Sequence, residues 1–252
     1  MDATVALLHG FTHTGASWEP VLAALGTRYR ALAPDICGHG SASGFSPVTL
    51  DAVIGDLDKL TPSSFTLVGY SMGGRIALHA ALALGDRVKR LVLIGASPGI
   101  ADPARRAARR AQDERLADEI ERTSIDRVAQ RWARTPVLAG QPPAVAAAVH
   151  ADRLRSTPAG LARALRGLGT GALPSLWDQL PELRTPVSLV AGERDLKFRA
   201  IAERMSLAVA DASLVVVAGA GHAVHLEAPE RVAAIIAGER SLGTQERRIS
   251  GG

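Results

Sequence analysis

Cysteine is almost absent from this chain of 252 residues, in which Cys37 is the single thiol. One cysteine cannot form a disulfide within the chain, nor can it supply the pair that a CxxC metal or redox site needs. We therefore expect a cytoplasmic protein, in a reducing compartment. The sequence also lacks any apolar run of about 18 residues, and the short run at residues 4–8 leads straight into a turn, so neither a membrane span nor a secretory signal is expected.

Lysine is scarce as well, since only three of the 29 basic residues are lysines. The net charge of +4 is therefore carried by arginine, whose planar guanidinium pairs with both oxygens of a carboxylate. This excess favours an anionic small molecule as the partner, because no motif that reads DNA or RNA accompanies it. We expect no nucleic-acid partner, no membrane partner, and a monomer or weak homo-oligomer.

Short apolar runs bounded by Gly, Pro or Asp recur along the chain, at residues 5–8, 29–33, 65–68, 91–94, 187–190 and 214–217. Continuous apolar runs are typical of parallel strands that are covered on both faces. Helical patterns separate most of them, at residues 18–25, 50–60, 72–84, 201–207 and 229–236. The alternation predicts a single α/β domain with a doubly wound, mostly parallel sheet.

The alternation stops between residues 98 and 175, which are rich in Ala and Arg and helical in pattern. We interpret this segment as a helical cap inserted into a core of residues 1–97 and 176–240, and we expect residues 241–252 to form a frayed tail. Loops at the carboxyl ends of parallel strands are where ligands bind in such sheets. The cap is therefore predicted to cover the site.

Residues 69–73, Gly-Tyr-Ser-Met-Gly, follow a predicted strand and open a predicted helix. In that context GxSxG indicates a nucleophile elbow, with Ser71 on a strained turn between glycines. Asp195 and His222 each come just after a later strand. The order Ser, Asp, His is that of an α/β-hydrolase triad, in which His222 takes the Ser71 proton and Asp195 orients the imidazole. Glu193 is the rival acid, two residues nearer its strand.

The first strand ends in His-Gly-Phe at residues 9–11. The elbow geometry predicts that the backbone amides of Phe11 and Met72 form an oxyanion hole, since one donor comes from the residue after the nucleophile. The Arg-rich stretch at residues 105–110 suits a solvated helix face, but one face of that helix could point into the site.

With these motifs, the chain resembles the 2-succinyl-6-hydroxy-2,4-cyclohexadiene-1-carboxylate synthase family, α/β-hydrolase-fold lyases of menaquinone biosynthesis. The resemblance covers most of the chain and is most selective at three places: Gly-Gly-Arg after the elbow (73–75), Glu-Arg-Asp-Leu-Lys-Phe (193–198) and the cap arginines. Pro158, Leu173 and Cys37 stand where members usually carry Asn, Gln and Pro. These departures bear on the exact substrate, not on the fold or the triad.

The resemblance implies elimination of pyruvate from a cyclohexene polycarboxylate by proton abstraction, with Ser71 as the base. It also implies a set of residues that line the substrate site, namely Tyr70, Arg75, Arg109, Trp132 and Arg155. Several fixed cations suit a substrate with several carboxylates.

Two other functions remain open at this point. A cytosolic carboxylesterase or C–C bond hydrolase would use Ser71 as a covalent nucleophile, and a ligand-binding protein would keep the pocket without turnover. No metal cluster, phosphate loop or dinucleotide fingerprint occurs in the sequence, so no cofactor is expected.

Overall fold

The computed structural model describes residues 3–138, 140–239 and 247–248. Within these residues, one sheet has the strand order β2-β1-β3-β4-β5-β6-β7, in which the first six strands are parallel and the last is antiparallel. The strands are β1 (Ala3–Leu8), β2 (Tyr29–Leu32), β3 (Phe65–Tyr70), β4 (Val88–Ile94), β5 (Val187–Gly192), β6 (Ala212–Val217) and β7 (Arg247–Arg248). This sheet is the doubly wound arrangement that the sequence predicts.

Helices cover both faces of the sheet. They are α1 (Glu19–Leu25), α2 (Leu50–Leu60), α3 (Met72–Leu84), α4 (Pro103–Glu121), α5 (Ile125–Ala133), α6 (Pro143–Arg153), α7 (Pro158–Leu168), α8 (Leu196–Ala208), α9 (Val224–Glu227) and α10 (Pro229–Ala237). The apolar side chains of α2, α3 and α8 pack in one core cluster and those of α1, α9 and α10 in another. Because both faces are covered, every residue of the interior strand β5 is buried.

Four helices, α4 to α7, lie between β4 and β5, within the segment interpreted as a cap. Their own apolar cluster includes Ile120 and Leu161, and Phe11 of the core packs against it. The cap therefore meets the core at the loop after β1.

The three departures from the family pattern occupy structural positions. Pro158 is the first residue of α7, whose end is capped by the Thr157 side chain. Leu173 and Cys37 are buried in the main core cluster. None of the three lines the cavity described below.

The predicted frayed tail, residues 241–252, falls outside the described residues apart from Arg247 and Arg248, which pair with β6. Across the described part of the chain, no helix is both long and apolar enough to cross a membrane.

Candidate active site

Ser71 lies on the turn between β3 and α3, with φ of 52° and ψ of −108°. A positive φ is strained for a residue with a side chain. The neighbouring backbone makes glycine necessary on either side: a Cβ at Gly73 would come within 2.2 Å of the Leu8 carbonyl oxygen, and one at Gly69 within 2.5 Å of the Gly73 carbonyl oxygen. The strain is therefore imposed by the packing of β1, β3 and α3.

Ser71, His222 and Asp195 form one chain of hydrogen bonds. Asp195 Oδ2 accepts a hydrogen bond from His222 Nδ1 at 2.6 Å, and Ser71 Oγ donates to His222 Nε2 at 3.1 Å. The carboxylate places the imidazole proton on Nδ1, which leaves Nε2 free to take the serine proton. Glu193, the rival acid, instead accepts a hydrogen bond from the Gly219 amide at the surface.

The loop after β1 runs directly over Ser71. A Cβ at Gly10 would lie 3.4 Å from Ser71 Cβ. His9 anchors this loop, because its Nδ1 donates to the Gly10 carbonyl and its Nε2 accepts from the Ile36 amide, both at 2.9 Å. Burial lowers the pKa of His9 to about 4, so the ring is neutral near pH 7. Phe11 follows in this loop and lines the same cavity as Ser71 and Met72.

A cavity of about 860 Å³ opens above Ser71 and His222, between the core and the cap. Its size is in the range of small-molecule sites. Five basic side chains line it, more than a neutral ligand needs: Arg75, Arg105, Arg109, Lys197 and Arg204.

Arg75 is the most deeply buried of these cations, at 7% exposure. Its Nη1 donates to Thr170 Oγ1 at 2.8 Å and its Nη2 to the Leu168 carbonyl at 3.1 Å, while Nε has no hydrogen-bond partner within the described part of the chain. Burial, together with the nearby charge of Arg109, lowers the pKa of Arg75 to about 10, so the guanidinium is still charged at pH 7. Arg109, by contrast, has an acidic partner in the protein, because its Nε donates to the Asp113 carboxylate at 2.7 Å.

The other three residues implied by the resemblance, Tyr70, Trp132 and Arg155, differ in whether they line this cavity. Trp132 lines the cavity, with its ring 4.8 Å from the Phe11 ring. Tyr70 is buried behind the cavity, 5.2 Å from the His222 ring between centroids, and burial raises the pKa of its phenol. Arg155 does not line the cavity of Ser71 but a separate one of about 220 Å³.

Arg153, which the sequence analysis did not single out, is the arginine of this segment that points inward. It is 1% exposed, its Nε donates to Thr12 Oγ1 at 3.2 Å, and Nη2 has no partner among the described residues. Burial lowers the pKa of Arg153 to about 10, and Tyr70 is close enough to raise it in part. The sequence gives little reason to choose Arg153 over Arg155 as the buried arginine, since Arg153 is the last residue of α6 and Arg155 follows only two residues later.

Asp152, next to Arg153, fastens the cap to the loop after β1. Its carboxylate accepts hydrogen bonds from the backbone amide and the hydroxyl of Thr14 and from His13 Nδ1. The loop that carries Phe11 is therefore held by the cap as well as by the core.

A second group of contacts connects the loop that carries Asp195 with the loop that carries His222. Glu227 Oε2 accepts hydrogen bonds from the Gly221 amide at 2.9 Å and from Arg194 Nη2 at 2.6 Å. Gly221 precedes His222 and Arg194 precedes Asp195, so this ion pair holds the neighbours of both residues. Arg194 also donates to the Gly219 and Gly140 carbonyls, the latter in the cap.

We expect Glu227→Ala to lower kcat by about a hundredfold with a smaller change in KM, because small displacements of catalytic groups have effects of that size. Glu227→Gln should retain more activity, since its amide oxygen still accepts from Gly221. Glu203→Ala is the control, because Glu203 pairs with Arg199 on the surface of α8. Steady-state kinetics on folded protein check this, and an unchanged kcat in Glu227→Ala would show that the ion pair is dispensable.

No three His, Cys, Asp or Glu side chains within the described ranges are grouped so as to hold a metal ion.

Known proteins resemble the chain over nearly its whole length. The sequence profile of the alpha/beta hydrolase family matches residues 5–235. The chain is 32% identical over 237 residues to the 2-succinyl-6-hydroxy-2,4-cyclohexadiene-1-carboxylate synthase of Salmonella schwarzengrund, covering 91% of this chain and 90% of the relative. It is also 32% identical over 255 residues to protein PHYLLO, chloroplastic, of Arabidopsis thaliana, covering 92% of this chain but only 15% of that much longer protein.

Among solved structures, MenH from S. aureus superposes with a TM-score of 0.88 at 30% identity, covering 94% of this chain and 93% of the other. The fold, the profile and the full-length relatives agree. The chain is therefore an enzyme of the alpha/beta hydrolase family and belongs, within it, to the 2-succinyl-6-hydroxy-2,4-cyclohexadiene-1-carboxylate synthase family.

Proposed function

We propose that this enzyme is a lyase of menaquinone biosynthesis that eliminates pyruvate from 2-succinyl-5-enolpyruvyl-6-hydroxy-3-cyclohexene-1-carboxylate. The observation that carries the proposal is the basic cavity above Ser71, in which the buried Arg75 forms no ion pair with any carboxylate among the described residues; nearby Asp113 binds Arg109 instead. A substrate with three carboxylates supplies the missing negative charge. A cytoplasmic location fits the lone, buried Cys37.

Ser71 acts as the base in this reaction. The substrate proton on C2 is acidic because C2 is bonded to the succinyl ketone. Ser71 Oγ takes this proton while its own passes to His222 Nε2, and Asp195 stabilises the imidazolium that forms. Negative charge develops on the ketone oxygen, where the amides of Phe11 and Met72 are proposed to donate hydrogen bonds.

The electrons then move through the ring to the leaving group. The C2–H pair becomes the C2=C3 bond, the C3=C4 pair becomes C4=C5, and the C5–O bond breaks with its electrons on oxygen. The enolpyruvate released takes up a proton on carbon and becomes pyruvate. No bond to Ser71 forms, and the serine keeps the proton taken from C2. The triad is restored once the His222 imidazolium gives up its proton, which balances the proton that the enolpyruvate takes up.

We expect the purified enzyme to release pyruvate from this substrate, while intact-protein mass spectrometry during turnover shows only the unmodified chain. A base needs no covalent intermediate, whereas an esterase must form an acyl-enzyme that a poor ester traps. A lactate dehydrogenase assay measures the pyruvate, and 4-nitrophenyl esters serve as the comparison substrates.

The alternative is a carboxylesterase or C–C bond hydrolase with Ser71 as nucleophile. Efficient hydrolysis of neutral esters, with an acyl group on Ser71 and no pyruvate from the cyclohexene, would establish it and refute the lyase.

A further inference from the structure

We propose that α8 carries a second carboxylate subsite in this cavity, built from Arg204 lying on Trp177, which binds the terminal carboxylate of the succinyl chain. This inference rests on the proposed function for the identity of the substrate. It assigns a ligand group to a wall of the cavity that the cap arginines do not form.

One face of α8 lines the cavity from the triad outward. Lys197, Phe198, Ile201 and Arg204 all contribute to the wall. Their spacing of one, three and three residues places them on one side of a helix. The Phe198 ring lies 4.5 Å from the His222 ring between centroids, and Arg204 follows about 9 Å further along the helix axis at 1.5 Å per residue. The wall therefore runs from the proposed base, past Lys197 and the apolar side chains of Phe198 and Ile201, to a second cation, Arg204.

Arg204 is held in place but not neutralised. Its guanidinium carbon lies 4.4 Å from the centroid of the Trp177 ring, and Trp177 is fixed by a hydrogen bond from Nε1 to the Gly99 carbonyl at 3.2 Å. Among the described residues, no acid forms an ion pair with Arg204, whereas Arg199 on the same helix pairs with Glu203 at 3.1 Å. An oriented guanidinium with free donors is what a carboxylate binds best.

The succinyl chain matches this wall in its order of groups. Its ketone belongs at the Phe11 and Met72 amides beside Ser71, if C2 is to reach the serine oxygen. Two methylene groups follow, which suit the apolar surface of Phe198 and Ile201, and the terminal carboxylate comes last. Arg75, in the first turn of α3 and donating to Thr170 of the cap segment, is left for a carboxylate nearer the ring.

Equilibrium binding tests the subsite without turnover. The probes are 2-succinylbenzoate, a stable aromatic compound with the same succinyl and ring carboxylates, and its methyl ester at the succinyl carboxylate. By calorimetry, we expect Arg204→Gln to weaken binding of the diacid about tenfold, the effect of 1.4 kcal/mol, and to leave binding of the ester unchanged. Arg204→Lys should recover part of the loss. Arg199→Gln, the matched control on α8, should change neither affinity.

Three results would overturn the subsite: wild-type protein with no preference for the diacid over the ester, an unchanged affinity of Arg204→Gln for the diacid, or an equal loss for both probes. Kinetics on the cyclohexene substrate give a second readout, in which Arg204→Gln should raise KM more than it lowers kcat. Absence of pyruvate release would refute the proposed function, but the selective loss of diacid binding would still be measurable.

Discussion

Ser71→Ala is expected to lower pyruvate release by about a thousandfold or more. When several groups act as one catalytic unit, removal of any one of them abolishes most of the rate acceleration that the unit provides. His222→Ala should have an effect of similar size, since its Nε2 lies 3.1 Å from Ser71 Oγ and is the proposed acceptor of the serine proton. Asp195→Asn should be comparable, because an amide favours the wrong tautomer of His222. Rates under single-turnover conditions check all three.

The double variant Ser71→Ala/His222→Ala should be little worse than either single variant, since the unit is already disabled. Glu193→Gln is the control for Asp195→Asn, because Glu193 binds the Gly219 amide and not His222. Near-normal activity of Asp195→Asn together with an inactive Glu193→Gln would show that the acid is misassigned. Circular dichroism should show the native fold in each variant.

The core elements and the cluster around Ser71 could be predicted because short sequence signals determine them locally. The strand ends mark the edge of the sheet where Ser71, Asp195 and His222 meet, and the glycines at 69 and 73 are required by backbone contacts within that one turn. One boundary was less clear: α8 begins at Leu196, five residues before the predicted helix, because the Asp195 side chain caps it through the Phe198 amide.

The contacts between distant segments could not be predicted in the same way. Glu227 contacts Arg194 across 33 residues, and Arg204 of α8 contacts Trp177, which lies just after the cap segment. Neither pair has a periodicity or motif of its own. The spacing of the two arginines also does not predict that Arg153 is buried while Arg155 lines another cavity. Which of them points inward depends on where α6 ends.

Arg75→Ala is expected to lower kcat/KM by a factor that corresponds to roughly 2–5 kcal/mol, the usual effect of truncating one partner of a buried charged pair. The guanidinium is charged at pH 7, buried, and hydrogen-bonded only to the neutral oxygens of Thr170 and Leu168 among the described residues. The nearby Asp113 carboxylate acts on Arg75 without a hydrogen bond to it and is bonded to Arg109, so we expect the ligand to supply the carboxylate that pairs with Arg75. The fully charged substrate should therefore lose far more than a neutral ester does in the same variant.

Arg75→Lys should restore only part of the activity, because an ammonium group cannot reproduce the planar fork that binds both carboxylate oxygens. Arg155→Ala provides the contrast, since Arg155 lies on a separate cavity and should affect turnover much less than Arg75→Ala. Steady-state kinetics with the cyclohexene polycarboxylate compare the variants. Equal activity of Arg75→Ala and wild-type protein would mean that this buried cation stabilises the cap without binding the substrate, while a loss as large in Arg155→Ala would show that the smaller cavity also contributes to substrate binding.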